Sequence, residues 1–212
     1  RNTTYYIYVR SNCGTGGYSF WIHTSAKTKD VEECLAIGNG NTTNYYLPIY
    51  GYYMDSPMRT QMIYFDSQLS AMRGRSIQKM TFYALADYSF TNNTQVSCAI
   101  TSQSSFSSSF ASETMTSVWT GHVSISNGEL EIVFDTPFEY PTDGGNLLIQ
   151  FSNIAEGNYK QNYFFKGDLV TGAGCYQQNQ YSNVVTQDFQ PQVTFCYTGL
   201  PCPTVTELTA VP

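Results

Sequence analysis

The sequence predicts an all-β fold, an antiparallel β-sandwich, and three observations carry that expectation. The first is a turn. Residues 119–151, WTGHVSISNGELEIVFDTPFEYPTDGGNLLIQF, contain Asn127-Gly128, a pair suited to a type I′ turn because both central positions need φ > 0. Folding the chain there sets Ile125 opposite Leu130 and Val123 opposite Ile132, with Ser124 facing Glu131. One face is then apolar and the other polar, and a one-residue slip would reverse both. The second observation is that Leu147, Ile149 and Phe151 alternate again after DTPFEYPTDGG and supply a third strand of the meander. The third is composition: 12% of residues are charged and 16% aromatic, with 18 Tyr and 13 Phe. Such a profile suits antiparallel strands whose exposed face is rich in hydroxyls and amides.

Composition also excludes functions. A net charge of −6 disfavours nucleic acid, which needs clustered Lys and Arg. No run of about 18 apolar residues is present, so no membrane-inserted helix is expected. No signal peptide is visible, and the chain opens inside a strand-like stretch, as a mature or excised piece would.

Cysteines stand at 13, 34, 98, 175, 196 and 202, with no CxxC pair and only His23 and His122 to join them. Zinc would want closely spaced pairs, so disulfides in an oxidising compartment are the reading. Six cysteines allow fifteen connectivities. Cys34 and Cys196 bracket the central block, which makes their pairing the preferred one, with a loop-entropy stabilisation of roughly 5 kcal/mol less any strain.

In chain order, residues 4–10 alternate as a strand, 13–17 form a Gly-rich loop and 18–24 form a second strand. Two strands cannot bury a core alone. Residues 27–33 are a charged connector. Residues 37–44, IGNGNTTN, read as loop; no strand precedes the glycines and no GKS or GKT follows, so a phosphate loop is not expected. Residues 61–65 are a strand, and 66–72 a short helical turn capped by Asp66 or Ser67. A strand with an irregularity near Lys79 covers 76–85. Residues 95–101 are a strand, and the Ser-dominated 101–117 is a loop over the sandwich edge with Phe106 and Phe110 tucked in. No GxSxG makes a serine nucleophile of it. After the meander, 159–166 is β-like, 167–182 is a Gly-, Gln- and Asn-rich loop, and 188–197 closes the sandwich.

Two stretches carry a family resemblance. YxxYVRSNCGxGxYSxW, from Tyr5 to Trp21, resembles the last two strands of a fibronectin type III domain of the kind common in Bacteroidota surface proteins. Residues 34–198 resemble a jelly-roll-like module found between such domains in large secreted Bacteroidota proteins. The resemblance is carried by IGNG with YLPIYGYY, QMIY, SIQKMTFY, and above all DTPFEY followed by NLLIQF. It implies partial fibronectin type III strands at 1–28, the jelly-roll-like sandwich at 34–198, and a linker with the start of a further fibronectin-like domain at 199–212. It further implies an extracellular, cell-surface, adhesin-like or carbohydrate-binding role, and for some such modules a structural calcium.

The candidate site residues follow from chemistry. Tyr45, Tyr46, Tyr50, Tyr52 and Tyr53 crowd residues 45–53, and tyrosine offers an apolar face and a polar tip at low entropy cost. They read either as a platform for sugar rings or a partner protein, or as a packed edge strand. Trp119, the one tryptophan of the central block, reads either as a sugar-stacking ring or as core. Asp135 and Asp143 flank the 136–142 connection as calcium donors or as ordinary turn residues. Paired carboxylates for glycoside hydrolysis are not expected in a chain so poor in acids. The expectation is a non-catalytic extracellular binding module for a glycan or surface protein, beside neighbouring domains of the same chain. The alternative is a structural spacer or fibre subunit.

Overall fold

A computed structural model describes residues 4–27 and 32–198. The predicted linker and further domain at 199–212, with Cys202, lie outside the described residues, as does most of the 27–33 connector.

The first element is a separate antiparallel hairpin of β1 (Thr4–Val9) and β2 (Ile22–Lys27), in which Val9 pairs Ile22 and Thr4 pairs Lys27. Every residue of both strands is exposed, as expected of two strands with nothing to bury. The second strand begins four residues later than the sequence suggested.

The sandwich starts with β3 (Glu32–Ile37), β4 (Thr42–Asn44), β5 (Arg59–Tyr64) and, after helix α1 (Asp66–Leu69), β6 (Ser76–Tyr83). It continues with β7 (Tyr88–Ser89), β8 (Asn93–Thr101), β9 (Thr116–Gly121), β10 (Ser124–Ile125), β11 (Glu129–Glu139) and β12 (Asn146–Ala155). The last strands are β13 (Phe165–Asp168), β14 (Gly174–Gln177), β15 (Val185–Gln187), β16 (Gln190–Pro191) and β17 (Val193–Thr198). Two sheets form the layers: β11-β6-β17-β3, and β15-β14-β5-β12-β8-β9, with all pairings antiparallel. Among the described residues no helix is long and apolar enough to cross a membrane.

Strand alternation builds the core. Met80 and Phe82 on β6, Leu130 and Ile132 on β11, and Val193 and Phe195 on β17 point from the first sheet. Met62 and Tyr64 on β5 and Leu147, Ile149 and Phe151 on β12 meet them from the second. The layers touch through edge-on rings, Phe82 on Phe151 at 5.7 Å and Tyr64 on Phe195 at 5.3 Å. The buried Tyr64 hydroxyl donates to the Pro191 carbonyl at 2.8 Å, so its burial leaves no orphaned polar group.

The six-stranded sheet is covered on its outer face as well. Ile63, Ala99, Leu148 and Cys175 point outward into a second apolar cluster, closed by Phe106 and Ala111 of the serine-rich 102–115 segment. That segment therefore crosses the sheet face rather than the sandwich edge. Gln61 fastens it: Ala111 N–H donates to Gln61 Oε1 at 2.8 Å, and Gln61 Nε2 donates back to the Ala111 carbonyl at 3.4 Å.

The turn at 127–128 forms as expected, with φ of 55° at Asn127 and 76° at Gly128, and Ser126 and Glu129 exchange both backbone hydrogen bonds at 3.0 Å. Val123, Ile125, Leu130 and Ile132 are buried, while Ser124 and Glu131 are exposed. The meander itself does not form. β10 leaves to pair with β7, β11 pairs with β6, and β12 enters the other sheet between β5 and β8. DTPFE is the end of β11, not a connection. Alternation fixes which side chains face inward; it does not choose the neighbour, and β6 offers β11 an equally alternating face in Met80 and Phe82. The irregularity near Lys79 is real: Cys196 pairs Lys79 while Tyr197 pairs Ile77, leaving Gln78 as the extra residue of a bulge.

Other boundaries moved. Glu32 and Glu33 already belong to β3, and Thr42–Asn44 is a short strand inside the expected loop. Residues 159–164 are irregular, with strand beginning at Phe165. The expected loop at 167–182 holds β14, which sits beside β5 in the main sheet. Cys34 and Cys196 form a disulfide between directly paired residues of β3 and β17. Disulfides of this kind persist in oxidising, extracellular-type compartments. Cys98 and Cys175 are free and buried in different apolar clusters, and Cys13 is free and exposed.

Candidate functional site: a tyrosine cluster

The sequence YYLPIYGYYM places its rings by anchoring what lies between them. Leu47, Ile49 and Met54 are fully buried and pull residues 45–54 onto the core. Asn44 sets the start of the segment, its Oδ1 accepting from Tyr46 N–H at 2.6 Å and Leu47 N–H at 3.2 Å, an Asx turn. Thr60 Oγ1 donates to the Pro48 carbonyl at 2.5 Å. With the aliphatic residues taken inward, the tyrosines pack on one another at the surface.

Their order is specific. Tyr46 stacks on Tyr176 with centroids 4.4 Å apart and planes 13° from parallel. Tyr50 stands edge-on to both, at 4.9 and 5.1 Å. Tyr45 lies 4.0 Å from Tyr46, shares a hydroxyl–hydroxyl bond with it, and meets Phe164 edge-on at 5.6 Å. Tyr53 links Tyr50 at 5.0 Å to Tyr52 at 5.1 Å, and Tyr52 reaches Tyr159 at 5.9 Å. Each such contact adds roughly 0.5–1.5 kcal/mol beyond burial, so the rings form a self-supporting unit.

Exposure is graded across it. Tyr50 and Tyr176 are buried, Tyr45, Tyr46 and Tyr53 are half-buried, and Tyr52 and Tyr159 are 40% and 48% exposed. Tyr50 is core and Tyr52 is surface, and the segment is a bend followed by a 3-10 turn at Gly51–Tyr53, not the packed edge strand that was one expectation. Burial pushes the Tyr50 phenol up to about 12, with the neighbouring phenols of Tyr46, Tyr45 and Tyr53 adding to it. The bond to Tyr46 raises Tyr45, and burial raises Tyr176. Tyr45, Tyr50 and Tyr176 therefore keep their phenol protons at neutral pH.

The 177–184 loop borders it. Ser56 Oγ donates to the Gln178 carbonyl at 2.7 Å, and Asn44 Nδ2 donates to Gln187 Oε1 at 3.2 Å. Ser182 Oγ accepts from the N–H groups of Gln178 and Asn179 at 3.1 Å each, which shapes the loop and leaves Tyr181 at its tip 88% exposed.

The remaining candidates stand elsewhere. Trp119 is half-buried on β9 against the main core, its ring lying over Gly121. It is four strands from β14 in the same sheet, so roughly 19 Å separates it from the Tyr176 strand at about 4.8 Å per strand. The structure does not bring Trp119 to the tyrosines. Asp135 is exposed, with Oδ2 accepting from Thr120 N–H at 3.2 Å, and Asp143 is exposed in the turn before β12. Among the described residues, no group of three or more His, Cys, Asp or Glu side chains is placed to hold a metal ion. Tyr176 and Tyr159 are members that the sequence reading missed. Tyr176 was hidden because β14 is four residues long inside a Gly- and Gln-rich stretch. Its one signal was Cys175-Tyr176, an apolar pair at the centre of that polar segment.

No protein-family model, curated protein or solved structure significantly matches this chain.

Proposed function

We propose that the chain is a non-catalytic, adhesin-like binding module of a larger secreted cell-surface protein, and that its tyrosine face takes the ligand, a glycan or a surface protein. The supporting observation is the graded cluster itself: buried Tyr50, packed on Tyr176, backs the exposed Tyr52, which in turn meets Tyr159. Aromatic rings that already pack on one another lose less entropy on binding than free side chains do. The experiment is a glycan array together with a panel of immobilised surface and matrix proteins, probed with the wild-type chain and with Tyr52→Ala/Tyr159→Ala. Retention of the wild-type chain on one surface, with at least roughly tenfold loss in the double variant, supports the reading. Silence on every surface counts against it.

The alternative, a structural spacer or fibre subunit, is favoured by the wholly exposed β1–β2 hairpin, which presents Tyr6, Phe20, Trp21 and Ile22 at 57–97% exposure. Sedimentation of the chain at increasing concentration tests it. A spacer that assembles through this hairpin gives a rising mass that Trp21→Ser abolishes.

A further inference from the structure

We infer that the ligand of the tyrosine face is an uncharged glycan, held by ring stacking and amide hydrogen bonds without ionic contacts. This rests on the reading of that face as the binding site. The observation is where charge is missing. One residue in eight of the chain is charged, 26 of 212 as 10 basic plus 16 acidic. Residues 34–54 and 169–187, the two stretches that meet at Tyr46–Tyr176 and Asn44–Gln187, hold no Asp, Glu, Lys or Arg at all. At the chain average, 40 residues would carry about five. The charges flanking these stretches in sequence or on the 156–164 segment are Glu33, Asp55, Asp168, Asp188, Glu156 and Lys160, all but one acidic, and Lys160 Nζ is 5.4 Å over the Tyr88 ring.

That vacancy of charge selects among partners. Sulfated, sialylated or uronate-rich glycans need Arg or Lys to meet their anions, and the cations nearest the face, Lys160 and Arg59, already lie over the Tyr88 and Phe110 rings. A protein partner brings a surface that is about one quarter charged and usually relies on charged rims for steering and register, which this face cannot complement. A neutral sugar brings hydroxyls, each both donor and acceptor, and flat C–H faces. The site offers the same two kinds of group. Exposed Gln180 and half-buried Gln178 and Asn179 each carry a donor and an acceptor. Tyr52, Tyr159 and the loop-tip Tyr181 offer apolar ring faces with hydroxyl tips.

The test is a binding titration of the full chain with neutral polysaccharides (β-glucan, xylan, mannan, galactan), acidic ones (heparin, hyaluronate, polygalacturonate) and immobilised proteins. It is run at about 0.05 M and about 1 M salt, where screening lengths differ severalfold. The expected result is binding to a neutral polysaccharide that changes by less than about twofold with salt and falls at least roughly tenfold in Tyr52→Ala/Tyr159→Ala. Both rings stand at the rim of the cluster, so the variant loses some stability but keeps the fold, and an unchanged circular dichroism spectrum with a single cooperative unfolding transition verifies this. Binding confined to acidic polysaccharides or to proteins, or affinity lost at high salt, overturns the uncharged ligand. If the double variant still abolishes that binding, the tyrosine face survives as the site. Binding of any kind that the double variant leaves intact overturns the face itself, and no binding to anything overturns the module reading beneath it.

Discussion

One carboxylate ties together the end of the sandwich where α1 meets the turn before β12. Asp66 Oδ1 accepts from Gly145 N–H and from the Tyr140 hydroxyl, both at 3.1 Å, while Oδ2 pairs with Arg73. Gly144, at φ 83°, has no room for a side chain beside it, since an added Cβ would fall on Oδ1. The helix cap expected of Asp66 is supplied instead by Gln68, whose Oε1 accepts from Phe65 N–H at 2.9 Å. The Gly145 N–H first, and then Arg73, hold the Asp66 carboxyl below its ordinary value. A folded value lower than the unfolded one means that the stabilisation is complete above about pH 3.9, the ordinary aspartate value, and is lost as pH falls through the lowered folded value. Acid denaturation of Asp66→Asn is therefore expected to show a shallower loss of stability below that point than the wild type. An identical acid limb in urea titrations at several pH values would remove Asp66 from the account. At this scale the sequence was informative about residue type and poor about partner: the acids and tyrosines were picked out, but Gly145 and Tyr176 were chosen by contacts between residues 79 and 130 positions apart.

Among the elements, the serine-rich 102–115 segment is the one whose role only the structure defines. It seals Ile63, Ala99 and Leu148 on the outer face of the six-stranded sheet, with Phe106 buried and Phe110 half-buried beneath the Arg59 guanidinium at 4.0 Å. Phe106→Ala should cost about 3 kcal/mol, the low end for a buried phenylalanine because a surface segment can settle into the gap, and Phe110→Ala about 1 kcal/mol. Urea midpoints measure both, and equal costs would contradict the burial difference. The sequence placed both rings correctly as tucked in, because a phenylalanine in a serine tract has no other favourable position. It misplaced the segment because consecutive apolar residues such as Leu147-Leu148-Ile149 were read on one face only. A strand buried on both faces shows no alternation. The same blindness hid β14, and with it half of the ring stack. The tyrosine segment was legible as crowding; its division into anchor, core and rim depended on Leu47, Ile49 and Met54 being buried, which composition alone does not order.

For the whole molecule, the two-layer sandwich followed from a turn and an alternation, while its strand order did not, because local pattern is silent on long-range pairing. The one long-range pairing that the sequence did suggest was Cys34 with Cys196, on the ground that they bracket the central block. Their bond joins the first strand of the sandwich to the last, and Glu32 pairs Thr198 so that the chain arrives and departs side by side. In a chain drawn taut from both ends, that arrangement makes the sandwich a mechanical bypass. Tension entering at β3 crosses the bond to β17 and never reaches the stretch between the two cysteines, which stand 162 positions apart. Pulled from its two ends in a single-molecule force experiment, the oxidised chain should give no sandwich-sized lengthening. After reduction it should yield a single further extension of roughly 550 Å, from about 3.4 Å per released residue. Equal extensions in both redox states would show that the load travels another way. The tyrosine face, which lies between the two sulfurs in sequence, keeps its shape on such a bypass while the chain around it is stretched.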